Sequence, residues 1–152
     1  MRVKLRPRIV VPVFLILITL FFIWSNSARP GSDSLAQSNV VASWIRAVFD
    51  VERQPFRFLY EHHRKVAHFL EFALLGAEMG FFLLLNGKKG IRFFCFSMIF
   101  CAVCATIDES IQLFVPGRAC ALTDVLIDTA GSACSLIFLF LLSLLRKSKA
   151  SS

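Results

Sequence analysis

The sequence predicts an all-α membrane protein, a four-helix transmembrane bundle with a short interfacial helix in the first outer loop. The first observation is composition: 57% of the 152 residues are hydrophobic, whereas soluble domains contain about 45–50% apolar residues. The second is that the apolar residues fall into four separate runs. The third is that basic residues gather at the ends of these runs, as they do beside membrane helices.

The four apolar runs set the predicted spans. They cover residues 9–24, 66–85, 91–107 and 125–145. A helix needs about 20 residues to cross the apolar part of a bilayer, so the short third run is extended through Asp108 to Gln112. We therefore expect one integral membrane domain over residues 1–152, with spans at about 9–25, 66–85, 91–112 and 123–145 and an outer loop over 26–65.

The first run has two interpretations. A cleaved signal peptide would also have a basic start and small residues after its apolar stretch, here from Ser25 to Ala28. The apolar stretch is slightly long for a signal peptide, and it ends in Trp24, an aromatic residue of the kind that lies at the membrane surface. These two features favour a retained membrane anchor.

Charge at the ends of the runs predicts the orientation. Bases without any carboxylate precede the first run, separate the second from the third, and follow the fourth: Arg2, Lys4, Arg6 and Arg8; Lys88, Lys89 and Arg92; Arg146, Lys147 and Lys149. Short cytoplasmic loops carry such an excess of Lys and Arg. We therefore expect a multi-pass protein of the cell membrane with both the N- and C-termini in the cytoplasm, and residues 25–65 and 108–124 outside.

The first outer loop is expected to contain a helix that does not cross the membrane. Its apolar residues recur at helical spacing, with polar residues between them: Val40, Val41, Trp44, Ile45, Val48 and Phe49. This pattern predicts a short amphipathic helix on the outer leaflet, ended by Pro55. The preceding residues 31–38 are polar and are expected to form a loop.

Several classes of function are disfavoured. The net charge of +7 lies in clusters beside apolar runs, so no nucleic-acid partner is expected. Cys101 and Cys104 have the spacing of a redox or zinc motif but no second ligand pair, and we interpret them as small apolar packing groups. No cofactor is expected, whereas the sequence leaves the question of a metal open. The bilayer is the one certain partner, and the oligomeric state is open.

Polar residues inside the apolar runs point to a site. Lys65, His68 and Glu71 are three apart, on one helix face. Asp108 and Gln112 are four apart, and the same is true of Asp124 and Asp128, whose stripe continues through small residues at Gly131 and Ser135. With the predicted topology, these three stripes converge near the outer face. Glu109 and Arg64 are expected to be solvated flanking residues, and Glu78 lies deeper in the second span.

This convergence also has a purely structural interpretation, because polar side chains hold membrane helices together without any chemistry. Charge favours a functional cluster. Five carboxylates, at Glu71, Asp108, Glu109, Asp124 and Asp128, face the bases Lys65 and Arg118, with His68 neutral. Such an excess of acid is protonated, solvated, or balanced by a cation or a cationic ligand.

The same motifs resemble the VanZ-like membrane protein family. They are Lys65-x-x-His68-Phe-x-Glu71, then Asp108-Glu109-x-x-Gln112-x-Phe-x-Pro-Gly-Arg118, then Asp124-x-x-x-Asp128-x-x-Gly131. The Trp24-Ser-Asn-Ser27 end of the first span is also similar. The resemblance implies a bacterial cell-envelope protein of a family linked to resistance to the glycopeptide teicoplanin. It assigns no reaction and no catalytic residue, so these ten motif positions are carried over as a motif cluster only.

Three functions remain open at this point. The first is an envelope factor that binds an amphiphile, a lipid-linked precursor or a lipoglycopeptide at the outer leaflet. The second is an intramembrane enzyme on a lipid-linked substrate, with His68 or Asp108 as general base and Arg118 or Lys65 holding an anionic headgroup. The third is a small proton-coupled transporter that uses Glu78. The first is preferred, because the sequence contains no dedicated catalytic motif.

Overall fold

A computed structural model describes residues 7–49, 56–118 and 120–149. This part of the chain forms helices joined by turns and short loops. The helices are α1 (Pro7–Ser27), α2 (Gly31–Val48), α3 (Phe56–Glu61), α4 (His63–Leu85), α5 (Gly90–Gln112) and α6 (Leu122–Lys149). The all-α class predicted from the sequence is therefore confirmed.

Four of these helices are long and apolar enough to cross a membrane. The candidate spans are Ile9–Ser27, His63–Leu85, Gly90–Gln112 and Leu122–Leu145. As predicted, α5 continues past the apolar run to Gln112. α4 begins at His63, one turn before the predicted start, so that Arg64 and Lys65 belong to the helix. The chain is thus a multi-pass membrane protein.

α4 and α6 pack very closely, because small residues meet along their contact. A Cβ added at Gly76 would lie 2.7 Å from Ser135 Oγ and 2.9 Å from Ser132 Cα, and one added at Gly131 would collide with the carbonyl oxygen of Phe69. Ser132 Oγ donates a hydrogen bond to the Phe72 carbonyl at 2.9 Å. Small residues that allow backbones to approach are typical of membrane helix interfaces. The backbones of α4 and α6 therefore approach closely at Gly76 and Gly131.

The apolar core lies on the inner faces of α1, α4 and α5. It comprises Ile16, Leu20, Ile23, Phe72, Leu75, Cys101, Cys104 and Ala105. Cys101 and Cys104 are buried in this core, which is where the packing interpretation puts them. Outward-facing side chains such as Phe21 and Phe138 are exposed, as expected of a helix bundle whose solvent is lipid.

The segment between α1 and α4 is more helical than predicted. Residues 31–38, expected to be a loop, form the first two turns of α2. The physical reason is that Pro, Ser and Asp, which suggested a loop, are also favoured around the first turn of a helix. α3 was not predicted. The predicted end at Pro55 lies outside the described residues, and α2 ends at Val48.

α2 has two distinct sides. Ala42 and Ile45 are buried, whereas Val40, Trp44 and Val48 are exposed and lie four residues apart. Residues four apart form a continuous stripe on a helix. α2 therefore presents an apolar stripe away from the bundle, which is the arrangement that a helix lying on a bilayer surface requires.

Candidate functional site

Polar side chains from every membrane-spanning helix meet at one end of the bundle. The arrangement follows from the antiparallel order, since α1 and α5 end where α4 and α6 begin. We call the group the polar cluster. Its members are Asn26, Ser27, Arg64, Lys65, His68, Glu71, Asp108, Glu109, Gln112, Arg118, Asp124 and Asp128.

The centre of the polar cluster is His68, which lies between two aspartates of other helices. Its Nδ1 is 3.8 Å from Asp108 Oδ2 and 3.9 Å from Asp128 Oδ1. The side chains of Asp108 and Asp128 are 0% and 1% exposed, and His68 is 16% exposed. Both separations exceed a hydrogen-bond length of about 2.7–3.2 Å. The three groups are thus close and buried without bonding directly to one another.

Gln112 joins three helices beside this centre. Its Nε2 donates to Asp108 Oδ2 at 3.1 Å and to Ser27 Oγ at 3.4 Å. Its Oε1 accepts a hydrogen bond from Arg64 Nη2 at 3.1 Å. The prediction that Arg64 is a solvated flanking residue was therefore wrong: α4 begins early enough to direct this side chain back over α5.

Glu109 was also predicted to be a solvated flank, and it is instead 2% exposed. Its Oε2 accepts a hydrogen bond from the backbone N–H of Ala121 at 3.1 Å. The prediction failed because the loop after α5 turns back over the end of the helix. Glu109 consequently ties the end of α5 to the start of α6.

Arg118 and Glu71 both bond to Asn26 on the far side of the polar cluster. Arg118 Nη2 donates to the Asn26 carbonyl at 2.9 Å, and Asn26 Nδ2 donates to Glu71 Oε1 at 3.4 Å. Burial, and then the neighbouring Arg64 guanidinium, lowers the pKa of Arg118. Asn26 and Ser27 were not among the ten motif positions, although the resemblance of the Trp24-Ser-Asn-Ser27 end of the first span was a usable signal.

A pocket leads from the surface to the centre of the polar cluster. It has a volume of about 170 Å³, and its lining includes Arg64, Lys65, His68, Asp124 and Asp128. Lys65 and Asp124 form an ion pair at 3.2 Å, with side chains 45% and 31% exposed. The pocket therefore has an exposed, charged mouth, and its lining reaches the buried side chain of Asp128.

Many buried polar atoms of the cluster have no hydrogen-bond partner among the described residues. They are Asp108 Oδ1, both carboxylate oxygens of Asp128, Glu71 Oε2, Asn26 Oδ1, and Nε and Nη1 of Arg118. Leaving a buried polar group unpaired costs about 1–3 kcal/mol. Several such groups together indicate that the cluster is completed by water, an ion or a ligand.

One family model, described as VanZ/LLP1, matches residues 12–144. The chain belongs to the VanZ/LLP1 family. No curated protein and no solved structure matches it.

In this VanZ/LLP1 protein, nine of the ten predicted motif residues take part in the polar cluster or its pocket. The exception is Gly131, which packs against the Phe69 carbonyl and brings α6 close to α4. Glu78 lies apart from the cluster, where its Oε1 accepts a hydrogen bond from Thr19 Oγ1 at 3.0 Å. The three stripes converge as predicted.

Proposed function

We propose that this protein binds the phosphate-bearing headgroup of a lipid-linked envelope molecule at the outer leaflet of a bacterial cell membrane. The observation that carries this proposal is the pocket between the starts of α4 and α6, which leads from the charged mouth at Lys65 to the buried centre at Asp128. A contribution to glycopeptide (teicoplanin) resistance, implied by the family resemblance, is part of the same proposal.

The proposed orientation rests on the sequence. In the sequence, bases without a carboxylate precede α1, separate α4 from α5 and end α6, around positions 2–8, 88–92 and 146–149. α1 and α5 begin, and α4 and α6 end, at the bundle end opposite the polar cluster. By the positive-inside rule, that end is cytoplasmic. The polar cluster and its pocket then face the outside, at the depth of the outer headgroups.

The size of the pocket limits what enters it. Sites for drug-sized ligands have volumes of about 300–1,000 Å³, and this pocket has only about 170 Å³. It has room for a phosphate group and is far too small for a whole glycopeptide. The acyl or prenyl chain of the ligand would remain in the bilayer, against the exposed apolar surface of the bundle.

Hydrogen-bond donors at the pocket suit a phosphate. Arg64 gives one of its five N–H donors to Gln112 Oε1. The Lys65 ammonium has three N–H donors, and its partner is Asp124. Guanidinium and ammonium groups are the usual protein ligands of phosphate. Arg64 and Lys65 therefore have donors to offer an incoming headgroup.

The experiment is native mass spectrometry of the protein extracted with its lipids from a bacterial host. We expect lipid-linked phosphates to accompany the wild type and to be lost from the double variant Arg64→Gln, Lys65→Gln. The matched control is Arg29→Gln, which removes an exposed base in the turn after α1, outside the lining of the pocket, and should retain the lipid. Equal recovery of bound lipid-linked phosphates from all three proteins, or none from the wild type, would contradict the proposal.

The central geometry favours a second candidate, an intramembrane enzyme. His68 Nδ1 lies 3.8–3.9 Å from two carboxylates, and His68 lines the pocket, where its imidazole is placed to act as a general base toward a bound substrate. The test is incubation of the purified protein with a lipid-linked diphosphate, followed by mass analysis of the products. Turnover that His68→Gln abolishes would support the enzyme over the binding protein.

The transporter alternative is less favoured. The Thr19–Glu78 pair is separated from the polar cluster along α4 by Phe72 and Leu75, which are fully buried in the apolar core. A proton path between Glu71 and Glu78 would have to cross this apolar layer.

A further inference from the structure

We infer that His68, Asp108 and Asp128 form a binding site for one divalent transition-metal cation at the inner end of the pocket. α4, α5 and α6 each supply one ligand. The potential ligand atoms, one per residue, all lie within 4.8 Å of one another. The inference stands on these side chains and does not depend on the identity of the headgroup proposed above.

The spacing of the three atoms suits a cation. His68 Nδ1 is 3.8 Å from Asp108 Oδ2 and 3.9 Å from Asp128 Oδ1. With a third side, between the two aspartates, at the 4.8 Å limit, the centre of the triangle lies about 2.5 Å from each corner. This is close to the metal–ligand distances of about 2.0–2.6 Å found for divalent cations. A contraction of a few tenths of an ångström would bring the three groups to transition-metal distances.

Asp128 supplies a second, independent observation. Its side chain is 1% exposed, and neither of its carboxylate oxygens has a hydrogen-bond partner among the residues that the structure describes. Asp108 Oδ1 is likewise buried and unpaired within that part of the chain. A buried carboxylate is usually paired or bound to a metal. A cation between the three side chains would satisfy Asp128 directly.

The charge of the polar cluster agrees with a dication. Since Arg64 belongs to the polar cluster, the cluster contains three permanent bases, Arg64, Lys65 and Arg118. It also contains five carboxylates: Glu71, Asp108, Glu109, Asp124 and Asp128. With His68 neutral, as a metal ligand must be, two negative charges remain when every carboxylate is ionised. One divalent cation balances them.

The surroundings have the features of a metal site. Gln112 Nε2 donates to Asp108 Oδ2 at 3.1 Å and so fixes the orientation of that carboxylate, which is the usual task of the groups behind metal ligands. His68 and Asp128 both line the pocket, through which a cation has access. Coordination positions beyond the three protein ligands would face the pocket, where a phosphate oxygen could bind.

The ligand types select the class of metal. Imidazole nitrogen with carboxylate oxygen suits Zn²⁺ or Mn²⁺, whereas Mg²⁺ and Ca²⁺ prefer sites made of oxygen alone. Cys101 and Cys104 lie in the apolar core, and the group of potential ligand atoms found among the described residues contains no thiol.

The test is the metal content of the purified protein, prepared without a histidine tag, after dialysis against Zn²⁺ or Mn²⁺ and removal of the excess. We expect about one metal per chain in the wild type, at least a tenfold loss of occupancy in His68→Ala and Asp128→Asn, and full occupancy in the control Glu78→Gln. Wild type without metal, or variants that bind as much as the wild type, would overturn the inference.

X-ray absorption of the wild-type metal complex makes the test independent of how the variants fold. One imidazole and several oxygen neighbours of the metal are expected. Sulfur neighbours would show that cysteines bind the metal and would overturn the inference. A metal-free protein that still retains lipid-linked phosphates would contradict the metal site and leave the proposed headgroup binding intact. A wild-type protein that binds the metal but no lipid-linked phosphate would instead contradict the proposed headgroup binding.

Discussion

Arg64 at the start of α4 donates a hydrogen bond to Gln112 at the end of α5, with 3.1 Å between Nη2 and Oε1. Gln112 extends the hydrogen-bond network, since its amide nitrogen donates to Asp108 and to Ser27. One guanidinium at the mouth of the pocket is thereby coupled to the carboxylate beside His68. Arg64 is both a candidate headgroup ligand and a support for the buried centre.

The first prediction concerns this coupling. Arg64→Ala should lower the stability of the purified protein by about 1–3 kcal/mol, because it leaves the amide oxygen of Gln112, a buried side chain, without its hydrogen-bond donor. A thermal melt in detergent measures the effect as a lower Tm. The control is Arg29→Ala, because Arg29 is exposed in the turn after α1 and surface substitutions usually change stability by no more than about 0.5 kcal/mol. Equal shifts in the two variants would mean that Arg64 behaves as an ordinary surface base.

Much of the polar cluster was predictable, because regular spacing along each helix fixes which residues share a face. Lys65, His68 and Glu71 converge with Asp108, Gln112, Asp124 and Asp128 for that reason. Arg64 and Glu109 were assigned to solvent instead. Their burial depends on tertiary features that no local pattern encodes, namely the early start of α4 and the path of the loop after Gln112.

The second prediction separates a functional centre from structural polar contacts. Asp108→Asn, Asp128→Asn and His68→Ala should each abolish the envelope phenotype while the protein still accumulates in the membrane. Asn keeps the volume and hydrogen-bonding capacity of Asp, so a purely structural contact would lose only about 1 kcal/mol. A centre that needs negative charge for a cation or a proton loses its function completely. Teicoplanin susceptibility of cells expressing each variant, with immunoblots of their membranes, measures both quantities.

The matched control for these substitutions is Glu78→Gln. It makes the same kind of charge-removing change inside a span, but at a residue that bonds to Thr19 outside the polar cluster. The glutamine oxygen can still accept that hydrogen bond, so activity should be retained. If Glu78→Gln is as inactive as the three cluster variants, the requirement for acid is not confined to the centre, and the transporter alternative gains support.

The third prediction tests the contact that positions α6 against α4. Gly131→Ala should destabilise the protein by about 1–3 kcal/mol, because overpacking forces rigid backbones apart and the obstacle is the carbonyl oxygen of Phe69. Ala130→Leu is the control, since Ala130 is exposed on the same helix and a longer apolar side chain there extends into lipid. The measurement is Tm in detergent, and a tolerated Gly131→Ala would show that the two helices separate easily.

The fourth prediction concerns the apolar stripe of α2. If Val40, Trp44 and Val48 lie on the bilayer, the fluorescence of Trp44 should be strongly quenched by lipids brominated near the headgroup and less by lipids brominated deep in the chains. Trp24 is first replaced by Phe so that Trp44 is the only tryptophan in the chain. Trp44 fluorescence that responds to aqueous iodide and not to brominated lipid would place α2 away from the membrane.

The last prediction fixes the orientation, on which the outer-leaflet function depends. Cys120 lies exposed in the loop after α5, on the same side of the bundle as the pocket. In a background with Cys95, Cys101, Cys104 and Cys134 replaced by Ala, a membrane-impermeant maleimide should label Cys120 in intact cells. The four replacements are expected to preserve activity, because Cys101 and Cys104 are packing groups in the apolar core, and Cys95 and Cys134 are exposed on membrane-spanning helices.

The matched probe for the opposite side is Asn86→Cys, made in the same background with Cys120 also replaced by Ala. Asn86 is exposed in the turn between α4 and α5, beside the bases Lys88 and Lys89, and its substitution leaves those charges in place. It should be labelled only after the membrane is made permeable, because a loop rich in lysine stays in the cytoplasm. The reverse labelling pattern would mean that the pocket faces the cytoplasm, and it would rule out a ligand from the outer leaflet.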